Sequence, residues 1–205
     1  LFPGSKVDVS INGLPVKVGK GNTLFIPGIA EISATQISST GIRSESTSIK
    51  VKTILPVERV YVSSEQLSTN SEEPGEGEVV NVIDGNVDTY WHTTWSQKED
   101  EYPHWVAIKL ASQESIRKFR LLQRQNQENG RISRATIESK VGDKWVSVKE
   151  IVLRNTTDWI EIQLETPILT NEIRVVATSE VGGHSWASLA ELEIYRDFKP
   201  MRDSQ

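Results

Sequence analysis

Oxygen-bearing side chains recur at short intervals in Asp84-Gly85-Asn86-Val87-Asp88-Thr89. Gly85 permits a tight bend among them. Such a turn suits a hard cation, since calcium takes roughly 6 to 8 oxygen ligands and completes its shell with backbone carbonyls. The spacing is not that of an EF-hand, because the closing Glu of such a loop is absent. A solvated Asp-Gly-Asn turn accounts for the same residues without a metal. The run continues into Tyr90-Trp91-His92-Thr93-Thr94-Trp95-Ser96, where two indoles flank an imidazole. A neutral histidine both donates and accepts, which suits a sugar hydroxyl beside an apolar aromatic face. The other reading puts both tryptophans in the core, where Trp is usually found. In an extended run Trp91 and Trp95 would share a face; a bend between them leaves Trp91 buried and Trp95 on a ligand rim.

Two more loops carry residues of the same chemistry. In Gln123-Arg124-Gln125-Asn126-Gln127-Glu128-Asn129-Gly130-Arg131, the planar fork of Arg124 can grip two adjacent hydroxyls. Asn129 adds a donor and an acceptor, although the run also reads as an ordinary polar loop. In Val181-Gly182-Gly183-His184-Ser185-Trp186-Ala187, Trp186 either stacks on a ligand or packs beneath its loop. Catalytic signatures are missing. There is no Gly-x-Ser-x-Gly turn, no His-Glu-x-x-His and no phosphate-binding glycine loop. His92, His104 and His184 form no zinc-ligand spacing, and no carboxylate pair stands out for glycoside hydrolysis.

The elements that must position these loops are strands. Val106-Ala107-Ile108-Lys109-Leu110, Phe119-Arg120-Leu121, Ile160-Glu161-Ile162-Gln163-Leu164, Ile173-Arg174-Val175 and Ala190-Glu191-Leu192-Glu193-Ile194-Tyr195 alternate apolar and polar residues, and no long stretch has a helical period. Short strands with frequent turn signals predict an all-β sandwich or barrel. Residues 64–79, rich in Ser, Glu, Gly and Pro, read as a long surface loop. The first 55 residues differ. They hold six Lys/Arg and three Asp/Glu, a balance of +3, so the remainder carries −8 of the total −5. All six tryptophans lie between Trp91 and Trp186. The composition shifts near Ile54-Leu55-Pro56, predicting two domains, 1–55 and 56–198. Val7, Val9 and Ile11, then Leu24 and Ile26, then Ile49 and Val51 alternate, with turns at Asn12-Gly13, Gly19-Lys20-Gly21-Asn22, Pro27-Gly28 and Ser39-Thr40-Gly41. This is a small antiparallel β unit, with too few residues for a substantial core.

The bulk numbers narrow the partners. At 37% hydrophobic and 25% charged residues the chain can form a globular core, and no apolar run approaches the ~20 residues of a membrane helix. A net charge of −5 without a Lys/Arg cluster argues against nucleic acid. No cysteine is present, so the fold does not rely on disulfides. The first residue is Leu1 and the only methionine is Met201, so the sequence is expected to be a cut or processed piece.

Taken in order, Ile83-Asp84-Gly85-Asn86 through Thr89-Tyr90-Trp91-His92-Thr93-Thr94-Trp95-Ser96, Pro103-His104-Trp105-Val106-Ala107-Ile108, Leu122-Gln123-Arg124 with Asn129-Gly130-Arg131-Ile132, and Trp186-Ala187-Ser188-Leu189-Ala190-Glu191-Leu192 resemble the discoidin, or coagulation-factor type C, domain. Within it they are most similar to bacterial family 32 carbohydrate-binding modules. The resemblance covers residues 57–196. It implies a galactose-binding-like jelly-roll β-sandwich and a structural calcium held by Asp84, Asn86, Thr89 and Glu191. It implies a shallow sugar site at His92, Trp95, Arg124 and Asn129, with Trp186 in a loop that often supplies an aromatic. Ligands of galactose, N-acetylgalactosamine or N-acetylglucosamine type follow. Many members carry Pro before the arginine, where this chain has Gln123. The first segment, through Gly28-Ile29-Ala30-Glu31-Ile32-Ser33-Ala34 and Ser44-Glu45-Ser46-Thr47, resembles the accessory β domain of chitobiase-like hexosaminidases.

The expected function is therefore a non-catalytic carbohydrate-binding module of a larger bacterial glycoside hydrolase, secreted, periplasmic or on the cell surface. It is expected to be monomeric, with glycans rather than membranes or nucleic acid as partners. Arg124→Ala is expected to abolish sugar binding with little change in melting temperature. The alternative is an adhesion module for protein or membrane surfaces. Against it stand the missing cysteines and the acidic early loop at Ser71-Glu72-Glu73-Pro74.

Overall fold

The computed structural model describes residues 4–17, 29–52 and 56–198. The strand expected at Leu24 and Ile26, the turns at Gly19-Lys20-Gly21-Asn22 and Pro27-Gly28, and the break at Ile54-Leu55 lie outside the described residues. The chain divides into two compact units, residues 1–56 and 57–205. No α-helix occurs among the described residues.

The first unit contains strands β1 (Lys6–Ile11), β2 (Leu14–Val16), β3 (Ile29–Ile37) and β4 (Thr47–Lys52). They form one antiparallel sheet in the order β2-β1-β3-β4. Asn12 and Gly13 turn β1 into β2, with φ of 49° and 79°. Two consecutive positive φ values make the tight hairpin turn that Asn-Gly favours, because its twist matches that of the strands. Ala30 is the one buried apolar side chain among the described residues of this unit, and Leu14 and Ile49 are exposed. The sheet thus gains little from apolar burial.

The second unit continues with β5 (Val57–Val60), β6 (Leu67–Thr69), β7 (Trp91–His92), β8 (His104–Leu122), β9 (Ile132–Val141), β10 (Lys144–Val152), β11 (Ile160–Glu180), β12 (Ser188–Leu189) and β13 (Glu191–Asp197). The main sheet runs β10-β9-β11-β8-β13-β5, with β6 also paired to β8 and a separate β7-β12 pair. All pairings are antiparallel, and the architecture is the jelly-roll β-sandwich. Two long strands carry it. Alternation alone separates Val106–Leu110 from Phe119–Leu121, yet both lie on β8, and Ile160–Leu164 and Ile173–Val175 both lie on β11.

The polar residues between the halves hide this continuity, because they face solvent while the backbone stays paired. Inward residues of β8 are even-numbered up to Ile116 and odd-numbered from Phe119 to Leu121. The change falls at Arg117, where the register with both β11 and β13 slips. A one-residue bulge flips which side chains face the core, so it keeps both halves apolar inward. The matching irregularity in β11, between Gln163 and Ile168, contains Pro167. Proline has no N–H to donate, and a bulge is where a strand tolerates it. Val106, Ile108, Ile116, Phe119, Leu121, Ile137, Ile173 and Trp91 lie in one continuous core. Three other tryptophans are held by cations: Arg174 lies 4.3 Å from the Trp145 ring and 5.8 Å from Trp105, and Arg120 lies 4.3 Å from Trp159.

Candidate functional site

Four loops meet around His92, joined by backbone hydrogen bonds. β7 and β12 place His92 opposite Ser188 and Trp91 opposite Leu189. Ser188 N–H donates to Gly130 O at 2.7 Å, which ties in residues 123–131. Glu73 N–H donates to His92 O at 2.8 Å, and His92 N–H donates to Gly77 O at 3.1 Å. Residues 71–78 are thereby a brace rather than the free surface loop their composition predicts. Ser71 and Glu73 are buried. One oxygen of Glu73 accepts from Trp95 N–H (2.7 Å) and Ser96 N–H (3.1 Å), and the other takes the Ser96 hydroxyl. These donors, the hydroxyl first, hold the Glu73 carboxyl down to about 2.

Gly77 is where the brace touches the site. A Cβ at this position would stand 2.8 Å from both the Cβ and the N of His92. Neither atom can yield without moving β7. Overpacking of this kind costs about 1–3 kcal/mol, so Gly77→Ala is expected to lower the melting temperature by roughly 5 °C. An unchanged melting curve would show that residues 71–78 give way freely.

Tyr90 and His92 stand two apart and share a face, while Trp91 takes the other. Trp91 enters the core, its indole N–H donating to Ser71 O at 2.8 Å. The Tyr90 and His92 rings meet edge to face with centroids 6.4 Å apart. The Arg124 guanidinium lies 3.9 Å from the Tyr90 ring centroid, and its Nη2 donates to Tyr90 Oη at 2.7 Å. Tyr90 Oη donates in turn to Glu76 Oε1 at 2.6 Å. Arg124 Nε donates to Asn126 Oδ1 at 2.8 Å, which leaves its Nη1 protons for a ligand. The Trp186 ring centroid lies 6.3 Å from that of His92, and the His184 ring packs 4.8 Å from Trp186.

The protonation states follow from burial and partners. His92 Nδ1 lies 2.6 Å from Thr93 O. A carbonyl only accepts, so Nδ1 carries the proton and Nε2 is the acceptor. Burial holds the His92 pKa below its ordinary value, so the ring is neutral at pH 7. Burial also pushes Tyr90 up, which keeps its hydroxyl a donor to Glu76.

Tyr90 thus joins His92 to Arg124, and Trp186 stands beside His92. His92 is 3% exposed and Arg124 5%. They are the floor of the site rather than part of an open rim. Asn129, half-buried, lines a groove alongside His184. Trp95 stands on the surface at 52% exposure and makes no ring contact with this group among the described residues. Tyr90 and His184 join the site from within the loop motifs without being among the expected contacts, and Glu76 joins it from outside those motifs. Parity with His92 marks Tyr90, but nothing local marks Glu76. Gln123 replaces rigidity by another route: it is buried, its Nε2 donates to Ile132 O at 2.7 Å and its Oε1 accepts from Ile132 N–H at 3.0 Å.

The oxygen-rich turn folds on itself. Asp84 Oδ1 accepts from Asn86 N–H (2.8 Å), and Asp84 Oδ2 accepts from the Thr89 hydroxyl (2.7 Å). Glu191, at the start of β13, is 2% exposed and its Oε1 has no hydrogen-bond partner. Burial, then the Asp84 charge, push its carboxyl up to about 7. Glu191 thus carries a buried, orphaned oxygen within the field of the Asp84 charge, which is costly without a counter-charge. The donor set is wholly oxygen and fits a hard cation.

Residues 66–192 match the family model of the F5/8 type C domain. The chain belongs to the F5/8 type C domain family. Its F5/8 type C domain superposes on the family 32 carbohydrate-binding module of Clostridium perfringens NanJ, solved in complex with galactose, with a TM-score of 0.61 and 26% identity over 69% of this chain and 100% of that one. A second C. perfringens module, solved with GalNAc-β-1,3-galactose, gives 0.57 and 27%, covering 62% and 92%. A sialidase of Micromonospora viridifaciens is 29% identical over 196 residues, 95% of this chain and 29% of the sialidase. The chain therefore spans less than a third of that relative's length. This alignment takes in both units.

Proposed function

We propose that the chain is a non-catalytic carbohydrate-binding module for terminal galactose or N-acetylhexosamine residues, and that it serves a larger secreted glycoside hydrolase. The observation that carries this is the continuous row Glu76, Tyr90, Arg124, His92 and Trp186. It places an anionic acceptor, a cationic donor, a neutral acceptor and an indole side by side. His92 Nε2 accepts from one sugar hydroxyl, Arg124 Nη1 donates to its neighbour, and Glu76 accepts from another. The Trp186 face takes the apolar C–H side of the ring. Asn129, which lines a groove together with His184, bounds the site at one edge. Two C. perfringens relatives crystallised with galactose-containing ligands support the same reading.

Calcium is proposed as a structural ion held by Asp84, Asn86, Thr89 and Glu191. When bound it neutralises the paired carboxylates and pins the turn to β13. It has no part in sugar contact.

One shallow site gives weak affinity. Hydrogen bonds to charged groups contribute about 1.5–3 kcal/mol each, against the cost of ordering the ligand. A dissociation constant near 1 mM, about −4 kcal/mol, is expected. Linkage to an enzyme turns such weakness into retention at a glycan surface. A glycan array followed by titration with galactose, N-acetylgalactosamine and N-acetylglucosamine tests this. Retention on at least one of these sugars is expected. Binding to anionic vesicles with no sugar retained would overturn the reading in favour of surface adhesion.

A further inference from the structure

The row of site residues does not stop at Trp186. His184 packs 4.8 Å from it and lines a groove of about 290 Å³ together with Glu128, Asn129, Asn155, Val181 and Gly182. His184 lines this groove and packs against Trp186, so the groove adjoins the proposed sugar site.

Both sides of the groove are preformed. On the 180–184 side, the buried Glu180 carboxylate accepts from Gly182 N–H at 2.7 Å and His184 N–H at 2.6 Å, which sets the loop backbone. On the other side, buried Arg131 donates from Nη1 to Asn155 Oδ1 at 2.7 Å and from its backbone N–H to Glu128 O at 2.9 Å. The Asn155 oxygen is thus committed to the protein. Its Nδ2 protons are what it has left to offer, and Glu128 offers a carboxylate acceptor. A donor amide and an anionic acceptor across a polar groove match the hydroxyls or acetamido group of a pyranose.

We propose that this groove is a second subsite, taking the sugar ring adjacent to the one held by His92 and Arg124. The domain then selects oligosaccharides over single sugars, and this rests on the sugar-binding reading above. Glu128 makes a neutral or N-acetylated second ring the preferred occupant and disfavours an anionic one.

The test is titration of the whole chain with methyl galactoside and with galactose-terminated disaccharides that differ in linkage and in second sugar. At least one disaccharide is expected to bind about 10-fold more tightly than the monosaccharide. Asn155→Ala and Glu128→Gln, both at exposed positions, are expected to remove that gain and leave monosaccharide affinity unchanged. Equal affinity for the monosaccharide and every disaccharide would overturn the second subsite while the sugar site stands. So would a disaccharide gain that neither substitution touches. A chain that binds no sugar of the panel overturns both.

Discussion

Arg124→Lys is expected to weaken galactose binding by about 10-fold to 100-fold while the domain remains folded. The substitution keeps a cation near the Tyr90 ring, where Arg124 now lies 3.9 Å away. A cation–π contact contributes about 0.5–2 kcal/mol, and lysine retains part of it. What lysine loses is the planar fork. Arg124 commits Nε to Asn126 and Nη2 to Tyr90, and still presents Nη1 to a ligand. An ammonium cannot serve three directions from one point. Loss of one or two charge-assisted bonds, at roughly 1.5–3 kcal/mol each, accounts for the expected change. Isothermal titration against galactose measures it, and unaltered affinity would place the sugar elsewhere.

Lysine is the better probe because Arg124 is 5% exposed. From the sequence, alanine at this position should leave stability almost untouched. The buried stack on Tyr90 corrects that. Arg124→Ala removes packing beneath the ring as well as its hydrogen bond, so a lower melting temperature is expected along with lost binding.

Calcium removal is expected to lower the melting temperature of the domain by about 10 °C. A ligand that binds only the folded state stabilises it by about 2.7 kcal/mol at 100 times its dissociation constant. For a domain of this size each kcal/mol moves the melting temperature by roughly 4 °C. The expected effect is concentrated at Asp84 and Glu191, since the orphaned Glu191 Oε1 and the Asp84 charge that acts on it are what the ion would neutralise. Melting curves with calcium and with a chelator measure the shift. Glu191→Gln should reduce it, because the amide lowers the charge of the donor set. Equal melting temperatures with and without chelator would leave the turn as a self-bonded Asx structure with no resident ion. Sugar affinity is expected to change less than stability, because none of the four donors belongs to the Glu76–Trp186 row.

How far these conclusions could be read from the chain differs by residue. The β class and the loop order were legible, because alternation and turn residues are local. The Asn12-Gly13 hairpin was legible for the same reason. The continuity of β8 and β11 was not. Their midpoints carry polar residues, and only pairing along the whole strand shows that the backbone never leaves the sheet. Glu76 was illegible, although its carboxylate is 2.6 Å from Tyr90 Oη. Its place depends on Gly77 meeting the His92 backbone, a contact between loops that no short-range pattern encodes.

The amino-acid sequence by itself determined which chemistries were available: hard oxygens in one turn, an imidazole between indoles, one well-placed guanidinium, and strands to carry them. Tertiary structure decided which of these work together. It buried His92 and Arg124 as a floor, set Trp186 beside them, and left Trp95 outside on its own. The physical reason is that side-chain type is a local property, whereas burial and proximity arise from loops that are far apart in the chain. Here a few backbone hydrogen bonds at His92 and Ser188 join those loops.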